Sequence, residues 1–187
     1  VYSLDHGLRP EAAGEVAMVL DIAHTLGIAA SALTWNGDKP QAGLQEAARQ
    51  ARYRLIGAAM VRDDVQVLLT AHHRDDQAET VLMRMAHGSG IEGLKGMARQ
   101  AEIEGVAVHR PLLELDRAAL ERVVTEAGLV PVADPSNLDR HYERVRWRQA
   151  MPALAELGLD AATIAQFATR MGEADAAIAQ MADACFA

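Results

Sequence analysis

The sequence predicts an α/β fold: a mostly parallel open sheet with helices on both faces, followed by a C-terminal linker helix. Short apolar runs of strand length recur at residues 1–4, 28–35, 65–69 and 105–110. Segments with a helical apolar period lie between them, and turn residues separate the two kinds. Such alternation builds a parallel sheet whose crossover helices cover both faces.

Residues 1–4 read as a strand and Asp5-His6-Gly7-Leu8-Arg9-Pro10 as the turn after it. The chain has no initiator methionine, so either its start is trimmed or it is expected to begin inside a domain. A helix follows over 11–26, with Val16, Val19, Leu20, Ala23 and Leu26 on one face and Gly27 as its stop signal. Residues 28–35 form a strand weakened by its alanines, and Asn36 to Pro40 a loop. The helix over 43–60 turns Leu44, Ala47, Ala48, Ala51, Leu55 and Ala58 inward, leaving Arg49, Arg52 and Arg54 exposed. The run at 65–69 reads as a buried strand ending at His72 and His73, and the helix after it buries Ala78, Val81, Leu82 and Met85.

Beyond Met85 the glycines at 88, 90, 93 and 96 predict a loop too flexible for a packed element. A strand over 105–110 is closed by Pro111, and Asp116 is placed to cap a helix ending at Gly128. Residues 130–139 form a loop, and residues 141–156 a helix open to interruption at Pro152. Residues 160–187 form one alanine-rich amphipathic helix outside the alternation. The expected domains are therefore an α/β one over 1–159 and a helical linker over 160–187.

The chain has 187 residues, a formal net charge of −8 and a pI near 5.3, so no global basic field advertises nucleic acid. Any such partner must be held by a local basic patch or by another domain. One cysteine, Cys185, excludes an intrachain disulfide and a multi-cysteine metal site within the chain. No apolar run is long enough for a membrane helix and no signal peptide is visible, which makes the cytoplasm the expected compartment.

Chemistry-bearing residues fall into four clusters: Asp5, His6 and Arg9; Arg49 and Arg52; His72 to Glu79; and Asp134 to Asn137 with Arg144, Arg146 and Arg148. At about 100° per residue, Asp75, Asp76 and Glu79 point together at the carboxyl end of a strand, where open α/β sheets place ligands. Acids also complement the dipole at any helix N-terminus, which accounts for one or two of the three. Exposed arginines on helices are commonly solvated; Glu46 with Arg49 suits a surface pair, and Arg144, Arg146 and Arg148 suit a basic helix surface. His24, His109 and His141 read as structural or surface residues. Gly88-Ser89-Gly90 could cradle phosphate through its amides, a weak signal. Acids able to hold a divalent cation beside arginines able to hold phosphate suggest a nucleotide polyphosphate. There is no Walker-type loop and no G-x-S-x-G elbow, and neither a kinase of that type nor a dinucleotide dehydrogenase is expected.

Several motifs, in order, resemble the tRNA(Ile)-lysidine synthetases. They are Leu4-Asp5-His6-Gly7-Leu8-Arg9-Pro10, Gly43-Leu44-Gln45 with Ala48-Arg49-Gln50-Ala51-Arg52-Tyr53, and Ala71-His72-His73-Arg74-Asp75-Asp76-Gln77-Ala78-Glu79-Thr80. Further matches are Arg84 with Gly88-Ser89-Gly90, Gly93-Leu94 with Gly96-Met97, Arg110-Pro111-Leu112-Leu113, Asp134-Pro135-Ser136-Asn137, the Arg144-x-Arg146-x-Arg148 run and Pro152 with Leu154. The resemblance spans residues 1–159.

It implies an ATP-pyrophosphatase-type domain (adenine-nucleotide alpha-hydrolase-like) that uses ATP and magnesium to adenylate C2 of the wobble cytidine in a tRNA(Ile) with a CAU anticodon. Free L-lysine then displaces AMP. Under that resemblance Asp75, Asp76 and Glu79 divide the work of holding magnesium, the metal role falling to Asp75 and Asp76, and of receiving the lysine ammonium. Arg52, Arg146 and Arg148 stabilise phosphate charge, His72 lies by the nucleotide, and Asp5 and His6 lie by adenine or ribose, with Gly88, Ser89 and Gly90 as phosphate contacts.

The family's SGGxDS pyrophosphate loop is not among these residues, so an incomplete ATP site and little activity are expected of this chain alone. Two rivals share the fold: a tRNA thiolase, disfavoured by the single cysteine, and a non-catalytic nucleotide sensor, which would not need three acids near polyphosphate. Substitution of Asp76 separates a sensor from a synthetase. A final reading makes the last helix an oligomerisation arm, giving a homodimer.

Overall fold

The computed structural model describes residues 1–132 and 135–186 and divides into two compact units, Val1–Leu68 with Ala101–Val108, and Leu69–Gln100 with His109–Ala187. The α/β class holds, but the strands form two sheets instead of one continuous one.

In the first unit β1 (Tyr2–Asp5) pairs in parallel with β2 (Ser31–Thr34), Tyr2 opposite Ser31 and Asp5 opposite Thr34. Between them α1 runs Ala12–Thr25 and closes at Gly27, whose φ of 69° suits a residue without Cβ. The β2 run is shorter than its apolar residues suggest, because Ile28 N–H bonds back to Ala23 O and is spent on closing α1.

The same happens after α2 (Leu44–Arg62): the Val65 amide returns to the Met60 carbonyl, with Asp64 at φ 53°. Only Leu68–Leu69 then remains as β3, and Leu69 is 65% exposed, so the expected buried strand over 65–69 is corrected. A second sheet has the order β3-β5-β4, with β4 at Gln100–Ile103 and β5 at Val106–His109. β4 has no counterpart in the sequence reading. It joins β5 through Glu104 (φ 50°) and Gly105 (φ 73°), the two positive φ values of a type I′ hairpin.

The core of this unit is Tyr53, Ile56, Met60, Val106 and Val108. Full burial of a valine such as Val108 contributes about 1.5–3 kcal/mol. The inner face of α2 therefore runs through Tyr53, Ile56 and Met60, while Ala58, expected inside, is exposed. Gly57 permits this packing, since a Cβ there would stand 3.0 Å from Val106 Cγ2.

The second unit is helical. It contains α3 (Arg74–Ala86), α4 (Ile91–Leu94), α5 (Arg117–Glu126), a 3-10 turn at Pro135–Leu138, α6 (Glu143–Glu156) and α7 (Ala161–Phe186). Asp116 caps α5 as expected, its Oδ1 accepting from the Ala119 amide at 2.7 Å. α6 passes through Pro152 without a break.

Ala78, Val81 and Leu82 of α3 pack with Ile164 and Ala168 of α7, against Trp147, Met151 and Leu154 of α6. The first half of α7 is thus core, not a free arm, and Lys95 reaches it with a 2.6 Å ion pair to Asp175. Met85, expected inside, is 48% exposed. The glycine-punctuated segment is pinned and not loose. Arg84 donates to the Gly93 and Gly96 carbonyls at 2.9 and 2.6 Å, and the Gln77 amide bonds both the carbonyl and the N–H of Met97. Among the described residues no helix is long and apolar enough to cross a membrane.

Candidate functional site

In the second unit the acids stand on the first turns of α3, where free backbone N–H groups and the helix dipole favour negative charge. His73 is the N-cap, and its N–H donates to Asp76 Oδ2 at 3.1 Å. Asp75 Oδ2 accepts from the Arg117 amide at 3.0 Å, which ties α3 to the start of α5. The His73 ring lies between the two carboxylates, Nδ1 3.5 Å from Asp75 and Nε2 3.4 Å from Asp76.

Glu79 stands apart from them. It is 2% exposed and accepts two hydrogen bonds from Arg148, at 2.7 and 3.1 Å, with Arg144 Nε at 3.5 Å. The three acids therefore differ in what they hold, although Asp75 and Glu79 line one cavity and Arg148 reaches both Glu79 and Asp76. Asp75 and Asp76 keep their side chains partly accessible, while Glu79 holds guanidinium groups of α6. The hydrogen bonds that Arg148 donates to Glu79 raise its pKa, with burial opposing. A cavity of about 330 Å³ lies between His73, Asp75, Glu79, Arg117 and Arg148 on one side and Met151, Pro152, Ala155 and Ala161 on the other. Pro152 has no N–H to give the Arg148 carbonyl one turn earlier, so that acceptor loses its helical partner.

The remaining expected residues of this unit divide. His72 Nδ1 lies 2.9 Å from Thr70 Oγ1, so the neighbouring side chain sets the ring's orientation. Arg146 donates to the carbonyls of Arg140 and His141 at 3.0 Å each and orders the entry to α6. The Gly88 and Ser89 amides donate to Met85 and Arg84 carbonyls, so they close α3 and are not free to cradle phosphate. Gly88, Gly90 and Gly93 also carry GxGxxG spacing, but it follows a helix instead of a strand, which removes the dinucleotide fingerprint. Asp134 lies outside the described residues.

For a divalent cation, Asp75 and Asp76 each use Oδ2 on a backbone amide, and the Oδ1 of Asp76 lies 3.9 Å from Arg148 Nη2. Among the described residues no group of three or more His, Cys, Asp or Glu side chains is placed to hold a metal ion. Magnesium commonly takes one or two carboxylates and fills the rest of its shell with phosphate and water, and this pair fits that limited role.

In the first unit Asp5, His6 and Arg52 lie together at the end of β1. Asp5 Oδ1 accepts from the Gly7 amide at 2.7 Å, and Arg52 Nη2 is 3.3 Å from His6 Nε2. Burial lowers the His6 pKa and the Arg52 and Lys39 charges lower it further, with Asp5 opposing. Arg49 lies over the Tyr53 ring at 5.1 Å, and Glu46 bonds Gln50, so the expected Glu46–Arg49 pair does not form.

Arg144, one helical turn before Arg148, and His73, the cap, join the site although the sequence alone assigns them no role in it. The i, i+4 spacing of the arginines was the signal for the first, and the position immediately before the helix for the second.

The PP-loop domain model matches residues 1–154. Over 183 residues, 98% of this chain, the sequence is 48% identical to a tRNA(Ile)-lysidine synthase of Rhodopseudomonas palustris, covering 53% of that protein. It is 48% identical to the synthase of a Bradyrhizobium strain, covering 51%, and 47% identical to that of Methylobacterium nodulans, covering 54%. The chain thus spans about half the length of the curated relatives it matches. Among solved structures, the U34-tRNA thiolase NcsA of Methanococcus maripaludis, described with its [4Fe-4S] cluster, superposes with a TM-score of 0.74 over 92% of this chain and 61% of that one. At 14% identity the likeness speaks for the fold alone.

Proposed function

The chain belongs to the PP-loop domain family, and we propose that it is the catalytic portion of a tRNA(Ile)-lysidine synthase, a carbon–nitrogen ligase. In this reading ATP adenylates the wobble cytidine of a tRNA(Ile) with a CAU anticodon at the oxygen on C2, releasing pyrophosphate. The ε-amine of free lysine then bonds to C2, AMP leaves with that oxygen, and the amine gives up its proton. The observation that carries this is the Asp75–Asp76 pair at the head of α3, beside a cavity whose other polar wall is the Glu79-anchored Arg148.

Asp76 and Asp75 would receive the ammonium and accept its proton, since a nearby carboxylate can serve as base. The same pair would hold magnesium, whose charge supports ATP phosphates when it is bound. Arg148 would face departing phosphate or AMP. Arg52, beside His6, would contact phosphate. The single Cys185 supplies no cysteine set for cluster-dependent thiolation.

The test is transfer of labelled lysine to tRNA by the intact protein carrying Asp76→Asn, whose amide oxygen can still accept from His73. Transfer is expected to fall by about a hundredfold or more, with the thermal midpoint little changed. Wild-type transfer rates in the variant, or none in the unaltered protein, overturn the assignment.

A further inference from the structure

The chain has two lysines. Lys95 is committed to Asp175, whereas Lys39 has no carboxylate within 4 Å among the described residues. Its ammonium is nonetheless fixed: Nζ lies 3.8 Å from the Trp35 ring centroid and donates to the Trp35 carbonyl at 2.5 Å. Trp35 is 8% exposed and continues the parallel ladder through its N–H to Asp5 O at 2.9 Å. Lys39 is therefore anchored to the sheet, not waving from a loop. The chain bends tightly beneath it. Gly7 has φ 62°, and a Cβ there would stand 3.7 Å from Trp35 O and 3.9 Å from Lys39 Cε.

The His6 ring meets Trp35 edge-on at 6.1 Å, and Arg52 bonds the other side of that imidazole. Arg52 likewise has no carboxylate partner among the described residues, whereas Arg9 and Arg62 of the same unit hold Glu15 and Asp63. Asp5, the acid of this neighbourhood, turns an oxygen to the Gly7 amide. Burial lowers the His6 pKa and the Arg52 and Lys39 charges lower it further against Asp5, which disfavours a third positive charge here.

A half-buried ammonium set in place by a ring face and a carbonyl, with no counter-ion, loses hydration without the Coulomb return of an ion pair. An arriving anion would supply that return. The location, past the carboxyl ends of two parallel strands, is where open α/β sheets receive ligands.

We propose that Lys39, held on Trp35, and Arg52 form a two-cation site for one phosphoryl group, with Lys39 a ligand-contacting residue of the enzyme. The phosphoryl group belongs either to the nucleoside triphosphate or to the RNA backbone, an identification that rests on the functional reading above.

The experiment measures ATP binding by calorimetry and binding of a CAU anticodon stem-loop by anisotropy at several salt concentrations. The intact protein is compared with its Lys39→Met and Lys39→Arg variants, and thermal denaturation of each checks folding. Lys39→Met is expected to weaken one of the two ligands by about fivefold or more, and Lys39→Arg to restore most of it. If RNA is the ligand, the slope of log K against log salt falls by about 0.7–0.9, one phosphate contact. A loss confined to ATP assigns the site to the nucleotide, and a loss confined to the stem-loop assigns it to RNA.

Affinities within twofold for both ligands overturn the proposal, as does an equal loss for both that arginine does not restore, which would mark Lys39 as a brace for its loop. Should Lys39→Met fail to fold, Lys39→Gln replaces it in the same comparison. Failure of the unaltered protein to bind either ligand would instead overturn the functional reading and this site with it.

Discussion

Replacing Arg148 by leucine tests the feature that most changes the reading of the site. Glu79 is 2% exposed and receives two hydrogen bonds from Arg148 at 2.7 and 3.1 Å. Removing one partner of a buried pair typically costs about 3–5 kcal/mol, because the other charge is left desolvated. Two features reduce that figure here: the Arg148 side chain is a third exposed, and Arg144 remains 3.5 Å from Glu79. Weighing these, Arg148→Leu is expected to cost about 2–3 kcal/mol, or roughly 4–12 °C in thermal midpoint for a chain of this size. Urea denaturation followed by far-ultraviolet circular dichroism and by tryptophan emission measures it, since Trp147, one of the two tryptophans, packs against the core that α3, α6 and α7 share. Adding Glu79→Leu to Arg148→Leu should recover most of the loss, as an apolar pair carries no desolvated charge. A loss below about 0.5 kcal/mol for Arg148→Leu, or a double variant less stable than the single one, refutes a buried ion pair as the lock between α3 and α6.

Two further expectations concern stability. His6 has a lowered pKa in the fold, so below its ordinary value of 6.5 the unfolded chain binds the extra proton first. Its contribution is therefore intact above pH 6.5 and is lost as pH falls from there toward the folded pKa. His6→Gln should flatten the denaturation midpoint across that window, and an unchanged slope would count against the buried neutral imidazole. At Gly96, with φ 71°, a Cβ would fall 2.7 Å from the Gln77 amide nitrogen. Gly96→Ala should cost about 2–3 kcal/mol, from left-handed strain of about 1–2 plus the disturbed Gln77–Met97 bonds. A midpoint within a degree of wild type by calorimetry would contradict it.

The sequence by itself determined the α/β class, the order of the longer helices, the cap at Asp116 and the placement of Asp75 and Asp76 at a helix start. These depend on local periodicity and capping chemistry, which reach only a few residues along the chain. Strand length was less legible. Ile28 and Val65 are apolar residues whose backbone is spent on closing a helix, and composition does not distinguish the two uses of such residues.

The role of Glu79 was decided only by tertiary structure. Its helical phase put it with the other acids, but its partners, Arg144 and Arg148, lie more than sixty residues away on α6. A carboxylate's chemistry follows the charge that reaches it, and that charge is delivered by packing. The same holds for Lys39, whose seat on Trp35 depends on how one loop folds back over a strand end. Spacing in the sequence told which groups could point together; the fold decided which of them were already taken.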